Sequence, residues 1–374
     1  MRVLQALFFP PEQPGGVSSM IPYVQKRFEE LGWEMELFSL PKRVRNKGTM
    51  DLPFHVLDIG PYQHDPIVAK YLQTFRDYMW WSAMRLEGRA FDLIHAHHPI
   101  VAITMKWLYP NTPVMATIHS SYERELLLNN KIDRDSLAHR FLTAIYRELE
   151  LQVDRLVTVS ESFRTYLRPY MNNVDRIEVL PNGFDENRFK PMPHHNPVTQ
   201  LLTVCRLVPA KGIDVLLRAC SALKDSGHSF VLHVIGDGPI RVELEQMARD
   251  LNIYEEIIFY GYMLHPENFM PFSDVFVLPS RAEAFGSVFA EAALCKLALV
   301  GTDVGGIAEQ IRHGENGLLV PVDNVEALTD VLSMLINDRN QRVTLSERAW
   351  QVAIDQYSLE RVMERLTTIY QQYL

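Results

Sequence analysis

Short apolar runs alternate with longer segments of helical period along the chain, which is the pattern of repeated strand and helix units in a parallel sheet. In the first unit, residues 3–9 form an apolar run, and a helical face of apolar residues then extends to Gly32. Further strands are predicted over 36–40, 91–96, 113–118, 155–160 and 177–180. The rhythm restarts with strands predicted over 201–207, 230–235, 257–260, 275–278, 297–301 and 318–322.

Two such halves predict an α/β protein with two doubly wound, Rossmann-like domains facing a cleft. The length of 374 residues is also too great for one ordinary core. Segment 190–199, KPMPHHNPVT, is proline-rich and lacks periodicity, so we place the boundary there and predict domains over 1–192 and 193–357. A last helix, predicted over 358–374, can pack back on the first domain. Functional residues are expected in loops that follow strands.

Composition narrows the class of protein. With 47% hydrophobic and 22% charged residues the chain is globular, and its net charge of −9 argues against a protein that wraps nucleic acid. Its three cysteines, Cys205, Cys220 and Cys295, have neither metal-ligand nor disulfide spacing, which favours a cytoplasmic location. The run at 3–9 is too short for a secretory signal, and no stretch reaches the roughly 20 apolar residues of a membrane span. Any membrane contact is therefore expected to be peripheral.

Gly15 and Gly16 lie between the first predicted strand and its helix. Glycines at this place let backbone amides approach a phosphate at the helix N-terminus. A plain tight turn explains the pair equally well.

Two cations, Arg206 and Lys211 in CRLVPAKG, come just past the first strand of the second half. A guanidinium and an ammonium placed together can neutralise the charge that builds on a departing diphosphate, and this needs no metal ion. Taken by itself, the motif also fits a solvated charged loop.

The stretch PSRAEAFGSVFAEAALCK carries Glu283 before a loop and Glu291 inside the helix that follows. If the helix begins near Ser287, its first amides face a phosphate and Glu291 lies about one turn inside, where it can accept hydrogen bonds from ribose hydroxyls. Glu283 then faces a sugar hydroxyl. A glutamate among apolar neighbours needs a partner, and an ordinary exposed helix glutamate is the alternative.

Motifs taken in order along the chain resemble those of one family. They are FFPPEQPGGV, FDLIH, the pair Ile118-His119, VTVSES, LPNGFDENRF, CRLVPAKG, VIGDGP, VLPSRAEAFGSVFAEA and VGGIAEQIRHGENGLLV. The chain resembles family 4 of the retaining glycosyltransferases (glycosyl transferases group 1), which adopt the GT-B fold. The resemblance implies a hexosyltransferase that moves a hexose or N-acetylhexosamine from a UDP- or GDP-sugar to a glycan, lipid-linked or small-molecule acceptor. It also implies retention of configuration and no metal ion or other cofactor.

The resemblance further implies residue roles. Catalytic roles fall to His119, Arg206, Lys211 and Glu283, with the two cations on the donor diphosphate, Glu283 on the transferred sugar and His119 beside sugar and acceptor. Glu291 takes the ribose. The implied donor contacts are Gly15, Gly16, Arg206, Lys211, Tyr262, Met263, Glu283, Ala284, Phe285, Gly286, Ser287 and Glu291.

Within that set, the base rests against backbone near Tyr262 and Met263, and Gly16 approaches the phosphate from the facing domain. Two positions depart from the family pattern, which usually has glycine at Cys205 and at Lys296. The cysteine is small enough for a strand end, whereas the lysine is expected to lengthen or tilt the helix before it.

Three other features admit a second interpretation. His95, His97 and His98 suggest either a metal site or plain loop histidines without a carboxylate partner, and the latter is favoured. VIGDGP after a strand also fits a dinucleotide fingerprint, but Arg241 stands in place of the third glycine, which disfavours a nicotinamide enzyme. A basic segment with Lys42, Arg43, Arg45 and Lys47 and the tryptophan pair Trp80 and Trp81 form the third feature. One interpretation is a solvated loop and a tryptophan pair in the core. The other is a surface that receives a phosphorylated or membrane-borne acceptor.

Two rival functions share the predicted architecture. A nucleotide-sugar epimerase or a phosphorylase would isomerise the donor alone or require phosphate, respectively. A non-catalytic subunit that binds sugar nucleotide would hold the donor without transferring or hydrolysing it. The joint presence of Arg206, Lys211, Glu283 and Glu291 disfavours the second rival.

Overall fold

The computed structural model describes residues 1–8, 10, 16–41, 51–55, 57–62 and 64–373, and the chain divides into two compact units. One comprises Met1–Asn182 with Val362–Leu374, and the other comprises Gly183–Arg361. The second unit begins before the predicted boundary after residue 192, because Phe184 already exchanges backbone hydrogen bonds with Tyr357 and Leu359 at 2.9 and 2.8 Å. The proline-rich segment 190–199 thus lies inside the second unit.

The first unit contains a parallel six-stranded sheet of order β2-β1-β3-β4-β5-β6. Strands β3 and β4 are fully buried, because helices cover both faces of such a sheet, and this explains their continuous apolar sequences. The elements are β1 (Arg2–Leu7), α1 (Gly16–Glu30), β2 (Glu34–Ser39), α2 (Pro66–Leu86), β3 (Leu93–Ala96), α3 (Pro99–Leu108), β4 (Val114–Ile118), α4 (Tyr122–Leu128), α5 (Leu137–Gln152), β5 (Arg155–Thr158), α6 (Glu161–Tyr166) and β6 (Glu178–Val179).

The second unit has a parallel sheet of order β12-β11-β10-β7-β8-β9. Its elements are β7 (Thr199–Val204), α7 (Ile213–Asp225), β8 (Phe230–Ile235), α8 (Arg241–Asp250), β9 (Ile257–Gly261), β10 (Val275–Leu278), α9 (Ser287–Leu294), β11 (Ala298–Thr302), α10 (Ile307–Gln310), β12 (Leu318–Val320), α11 (Val325–Asn337) and α12 (Arg339–Tyr357). The predicted class, two doubly wound α/β halves, is confirmed.

Most of the last helix, α13 (Leu359–Gln371), belongs to the first unit, which includes Val362–Leu374. The buried Tyr370 hydroxyl accepts a hydrogen bond from Gln5 Nε2 at 3.0 Å, and Arg365 Nη2 donates to the Val179 carbonyl at 2.7 Å. Among the described residues, none of the helices combines the length and apolar character needed to cross a membrane.

Candidate active site

The centre of the candidate site is an ion pair at the carboxyl edge of the second unit's sheet. Lys211 lies in a single turn after β7, and its ammonium pairs with Glu283 Oε1 in the loop after β10. The Ser280 hydroxyl donates to the same oxygen at 3.1 Å. The side chains of Lys211 and Glu283 are 23% and 12% exposed, so the pair is reachable but largely desolvated. Two residues predicted from separate motifs therefore meet in the structure.

Close backbone packing holds these two loops together. Gly212 has a φ of +65°, and a Cβ on it would lie 2.1 Å from the Pro279 carbonyl oxygen, so only glycine fits. Arg281 contacts two carboxylates, with Nη2 2.8 Å from Asp214 in the first turn of α7 and Nε 2.8 Å from Asp323 after β12. Its Nη1 also donates to the Pro209 carbonyl in the turn after β7. Sequence reasoning missed Arg281, although its place two residues before Glu283 was a signal. Its guanidinium joins the loops that follow β7, β10 and β12.

The start of α9 lies beside the ion pair. Gly286 takes the N-cap position in the left-handed conformation, with a φ of +84°, and the helix begins at Ser287 as predicted. Phe285 is buried and packs edge-on against Tyr357, with ring centroids 5.4 Å apart. Gln310 Nε2 donates to the carbonyls of Phe285 and, at 3.3 Å, Gly286. The amino end of the helix, with its positive dipole end, therefore begins at a loop that Gln310 holds in place.

Two glycines of the motif VGGIAEQ pack directly against the backbone of that loop. A Cβ on Gly305 would lie 1.9 Å from the Glu283 carbonyl oxygen, and one on Gly306 would lie 2.5 Å from Phe285 Cα. Such distances are far below van der Waals contact, and both neighbours are backbone atoms that cannot turn aside. The position of Glu283 thus depends on the absence of side chains at 305 and 306.

We expect Gly305→Ala to destabilise the second unit and to displace Glu283, because the added methyl group overlaps backbone. The expected loss in unfolding free energy is about 1–3 kcal/mol, measured by urea denaturation. Gly314→Ala is the matched control: its φ is also positive, at +78°, but a Cβ there meets no described atom within 4 Å. Equal losses in the two variants would show that backbone strain alone, and not the clash, accounts for the effect.

Glu291 lies in α9 with its side chain half-buried. Burial raises the pKa of its carboxyl to about 7, the Arg188 guanidinium opposes that rise and the Glu267 carboxylate adds to it. Arg188 and Glu267 themselves form an ion pair, with Nε 2.9 Å from Oε1. The expected charge partner is therefore present, in a segment to which sequence reasoning gave no functional role. The carboxyl is poised between its protonation states near neutral pH.

The remaining predicted donor residues lie on neighbouring loops of the same edge. Arg206 is exposed in the loop after β7. Tyr262, 60% exposed, and the half-buried Met263 follow β9. The half-buried Ala284 belongs to the Glu283 loop. All of these loops are at carboxyl ends of strands, where ligands bind in open α/β sheets.

The glycines of VIGDGP have a packing role. A Cβ on Gly236 would lie 1.8 Å from the Cys205 carbonyl oxygen, and one on Gly238 would lie 2.1 Å from that of Leu207. Leu207 N donates to the Asp237 carbonyl at 2.9 Å. The motif therefore fastens the loop after β8 to the loop that carries Arg206.

In the first unit, His119 directly follows β4 and ends a buried chain of polar groups. Its Nε2 is 3.2 Å from His97 Nδ1, while His97 Nε2 is 2.9 Å from Gln5 Oε1. These residues line a cavity of about 30 Å³. Burial lowers the pKa of His119 to about 4, opposed by a hydrogen bond with Asn182, and lowers that of His95 to about 3. His119 is thus neutral at physiological pH, a polar group rather than a cation.

The histidines show no metal-binding arrangement within the described residues: no three His, Cys, Asp or Glu side chains there are placed to hold an ion. Gly16 is the first residue of α1. Gly15 lies outside the described residues, as do the basic positions Lys42, Arg43, Arg45 and Lys47. Trp80 and Trp81 are half-buried neighbours in α2, with ring centroids 6.4 Å apart.

The fold places the protein in a known structural class. Sucrose-phosphate synthase from Thermosynechococcus elongatus superposes with a TM-score of 0.81 at 19% identity, over 100% of this chain and 99% of that one. HepE from Anabaena superposes with a TM-score of 0.72 at 19% identity, over the whole of both chains. The fold is that of the GT-B glycosyltransferases, as predicted.

Family models identify the chain more closely. Residues 14–188 match Glycosyltransferase Family 4, and residues 184–352 match Glycosyl transferases group 1. The protein belongs to family 4 of the glycosyltransferases, which confirms the predicted enzyme class. An uncharacterized glycosyltransferase of Methanocaldococcus jannaschii is 26% identical over 91% of this chain and 94% of its own. The N-acetyl-alpha-D-glucosaminyl L-malate synthase of Bacillus anthracis is 25% identical over 87% and 88%.

Proposed function

We propose that the protein transfers a hexose or N-acetylhexosamine from a UDP- or GDP-sugar, with retention of configuration and without a metal ion. The observation that carries the proposal is the meeting of Lys211 and Glu283 beside the start of α9. An ammonium, a carboxylate and the N-terminus of a helix in one place suit a diphosphate joined to a polyhydroxylated sugar. The carboxylate accepts from a sugar hydroxyl, while the cation and the amides face the phosphates.

In the reaction, the bond from the sugar C1 to the diphosphate oxygen breaks and a bond from C1 to the acceptor oxygen forms. Negative charge builds on the departing diphosphate, whose oxygen takes up the proton that the acceptor hydroxyl loses. Lys211 and the exposed Arg206 stabilise this charge. Lys211 is partly desolvated, and a fixed cation in such a setting acts more strongly than it does in water. Their charge fulfils the role that a divalent ion has in metal-dependent transferases.

The nucleoside end of the donor extends toward Glu291 and the loop after β9. Glu291, as a carboxylate, accepts hydrogen bonds from the ribose hydroxyls. The base rests against the backbone at Tyr262 and Met263. Names of related proteins support both candidate bases: HepE was solved with UDP-glucose, and a Mycobacterium tuberculosis relative, 27% identical over 233 residues, is described as GDP-mannose-dependent.

We assign the acceptor to the first unit, beside His119. A neutral imidazole there donates or accepts a hydrogen bond at the reacting sugar without adding a charge. We also assign Gly16, the first residue of α1, and the preceding Gly15 to the phosphate contacts. A glycan, a lipid-linked sugar or a small molecule fits this role, with the enzyme in the cytoplasm or at the inner face of its membrane.

A thermal-shift screen of UDP- and GDP-linked sugars tests the donor assignment. A donor present at 100 times its Kd stabilises the folded state by about 2.7 kcal/mol. For units of this size we expect the melting temperature to rise by roughly 5–10 °C. UDP is expected to stabilise much more than UMP, or GDP more than GMP, because only the diphosphate reaches the Lys211 turn. EDTA is expected to leave the shift unchanged.

Equal stabilisation by mono- and diphosphates would contradict the role given to the Lys211 turn. Product analysis by NMR then tests the chemistry with the donor that binds. Retention in the glycoside is expected. Isomerised donor without acceptor would instead indicate an epimerase, and binding without transfer or hydrolysis would indicate a non-catalytic subunit.

A further inference from the structure

A second polar cavity, of about 140 Å³, lies at the opposite edge of the second unit's sheet. Ser273 and Asp274 line it directly before β10, and Lys296 lines it just before β11. These are amino ends of strands, whereas every candidate donor residue of this unit follows a carboxyl end. The cavity is therefore a separate feature from the candidate active site.

The lining of this cavity carries more positive than negative charge. Lys296, Arg339 and Arg342 contribute three permanent cations, and Asp274 is the carboxylate among the lining residues. Asp274 already accepts hydrogen bonds from Asn196 Nδ2 at 3.0 Å and from a backbone amide at 2.8 Å. Its charge is thus partly compensated from within the fold. The Glu347 carboxylate also pairs with Lys296, so three cations stand against two carboxylates and a net positive charge remains for a ligand.

The cations of this cavity are held in place by neighbours. The Lys296 ammonium pairs with the half-exposed Glu347 at 2.7 Å and lies 4.5 Å from the centroid of the Trp350 ring. Arg342 Nη1 donates to the carbonyls of Leu335 and, at 3.1 Å, Ile336. Ordered cations lose less conformational entropy when an anion binds, which favours affinity.

Ser273 supplies an independent sign of a ligand. It is 1% exposed, and its hydroxyl has no hydrogen-bond partner among the described residues. A buried hydroxyl without a partner is costly and rare in folded proteins. Ser273 is among the residues that line the cationic cavity, so a donor without a partner lies in its wall.

The backbone conformation of Lys296 also supports a ligand at this cavity. The residue has a φ of +61°, in the left-handed region that glycine favours just after a helix. Helix α9 ends at Leu294, two residues before the lysine, so Lys296 does not lengthen it. The chain accepts backbone strain here and thereby gains a cation at the cavity.

We propose that this cavity binds a phosphate group, either as inorganic phosphate or on a small phosphomonoester. A phosphate carries nearly two negative charges near neutral pH and is attracted by the net positive charge of the cavity, and its oxygens accept from guanidinium and ammonium donors. The volume is about ten times what one water needs, so a hydrated phosphate fits. The proposal does not depend on the donor assignment.

Thermal-shift titration with inorganic phosphate, at constant ionic strength, tests this site on the full chain. Lys296→Gly removes the cation while the new residue suits the backbone, so folding is preserved. Arg339→Gln removes an exposed cation at the start of α12. We expect phosphate to bind at least tenfold more weakly to each variant than to the wild type, and to bind Lys211→Ala as well as it binds the wild type.

Loss of the phosphate effect in Lys211→Ala, with full retention in Lys296→Gly, would place the anion in the donor loops and overturn the proposal. So would the absence of any shift with millimolar phosphate in the wild type. Glucose 6-phosphate serves as the monoester probe. Tighter binding than inorganic phosphate, lost in the same two variants, assigns the cavity to a monoester, whereas weaker binding assigns it to free phosphate.

Discussion

Replacing Lys211 with alanine is expected to lower turnover by about 10²–10³-fold, the usual cost of removing one fixed group that stabilises transition-state charge. Lys211 is partly desolvated and pairs with Glu283, so its removal also leaves that carboxylate without its cation. The effect should fall on kcat more than on KM, because the charge on the diphosphate grows as the sugar departs. Steady-state kinetics with the donor found in the screen measure both.

Lys224→Ala is the matched control, since Lys224 also pairs with a glutamate of the second unit, Glu256, at 2.9 Å. That pair lies at the end of α7, away from the donor loops. We expect kcat within twofold of wild type in the control and an unchanged melting temperature to within a few degrees in both variants. Near-normal kcat in Lys211→Ala, or equal losses in the two variants, would rule out the assigned role.

The fold was accessible from sequence because parallel strands that are buried on both faces give continuous apolar runs. Residues 114–118 and 275–278, for example, are entirely buried. The start of α9 was equally predictable from the sequence, since a glycine followed by a small polar residue and an apolar run indicates a helix N-terminus. Placing Lys211 and Glu283 after strands of one sheet predicted that they share its carboxyl edge, whereas the ion pair between them was not predicted.

Contacts that join distant parts of the chain could not be found in this way. Gln310 fixes the Phe285 and Gly286 carbonyls, and Arg281 joins three loops, but neither residue type has a spacing that announces such a role. The limit of the second unit is set by hydrogen bonds between Phe184 and the segment near residue 358, which proline content cannot reveal. Through-space packing decided each of these features.

Protonation states were also beyond the reach of sequence reasoning. His119 was expected beside the sugar and acceptor with no protonation state assigned, and its burial keeps it neutral. Glu291 was expected to be an ordinary acceptor, and its burial places the carboxyl near its titration midpoint at neutral pH. Both properties come from desolvation, which depends on the assembled structure.

For Glu291→Gln we expect a more stable protein that binds its donor less tightly. The Glu291 pKa is about 7 in the folded state, against about 4.3 for an unfolded chain, so ionisation opposes folding. The wild type therefore loses stability as pH rises from about 4.3 to about 7, by up to roughly 3 kcal/mol, and the glutamine variant avoids this loss. Unfolding at pH 8 should show the gain, and unfolding below pH 4.3 should not.

Donor affinity should change in the opposite direction, because a neutral amide oxygen accepts weaker hydrogen bonds from ribose than a carboxylate does. A loss of about tenfold in donor affinity is expected from one charge-assisted hydrogen bond. Glu243→Gln, on the exposed side of α8, is the control and should alter neither property. If Glu291→Gln bound donor normally and gained no stability at pH 8, the carboxylate would be neither the ribose ligand nor a charge that burial disfavours. A gain in stability with weaker binding would instead show that the chain sacrifices folding free energy at this position for the sake of its substrate.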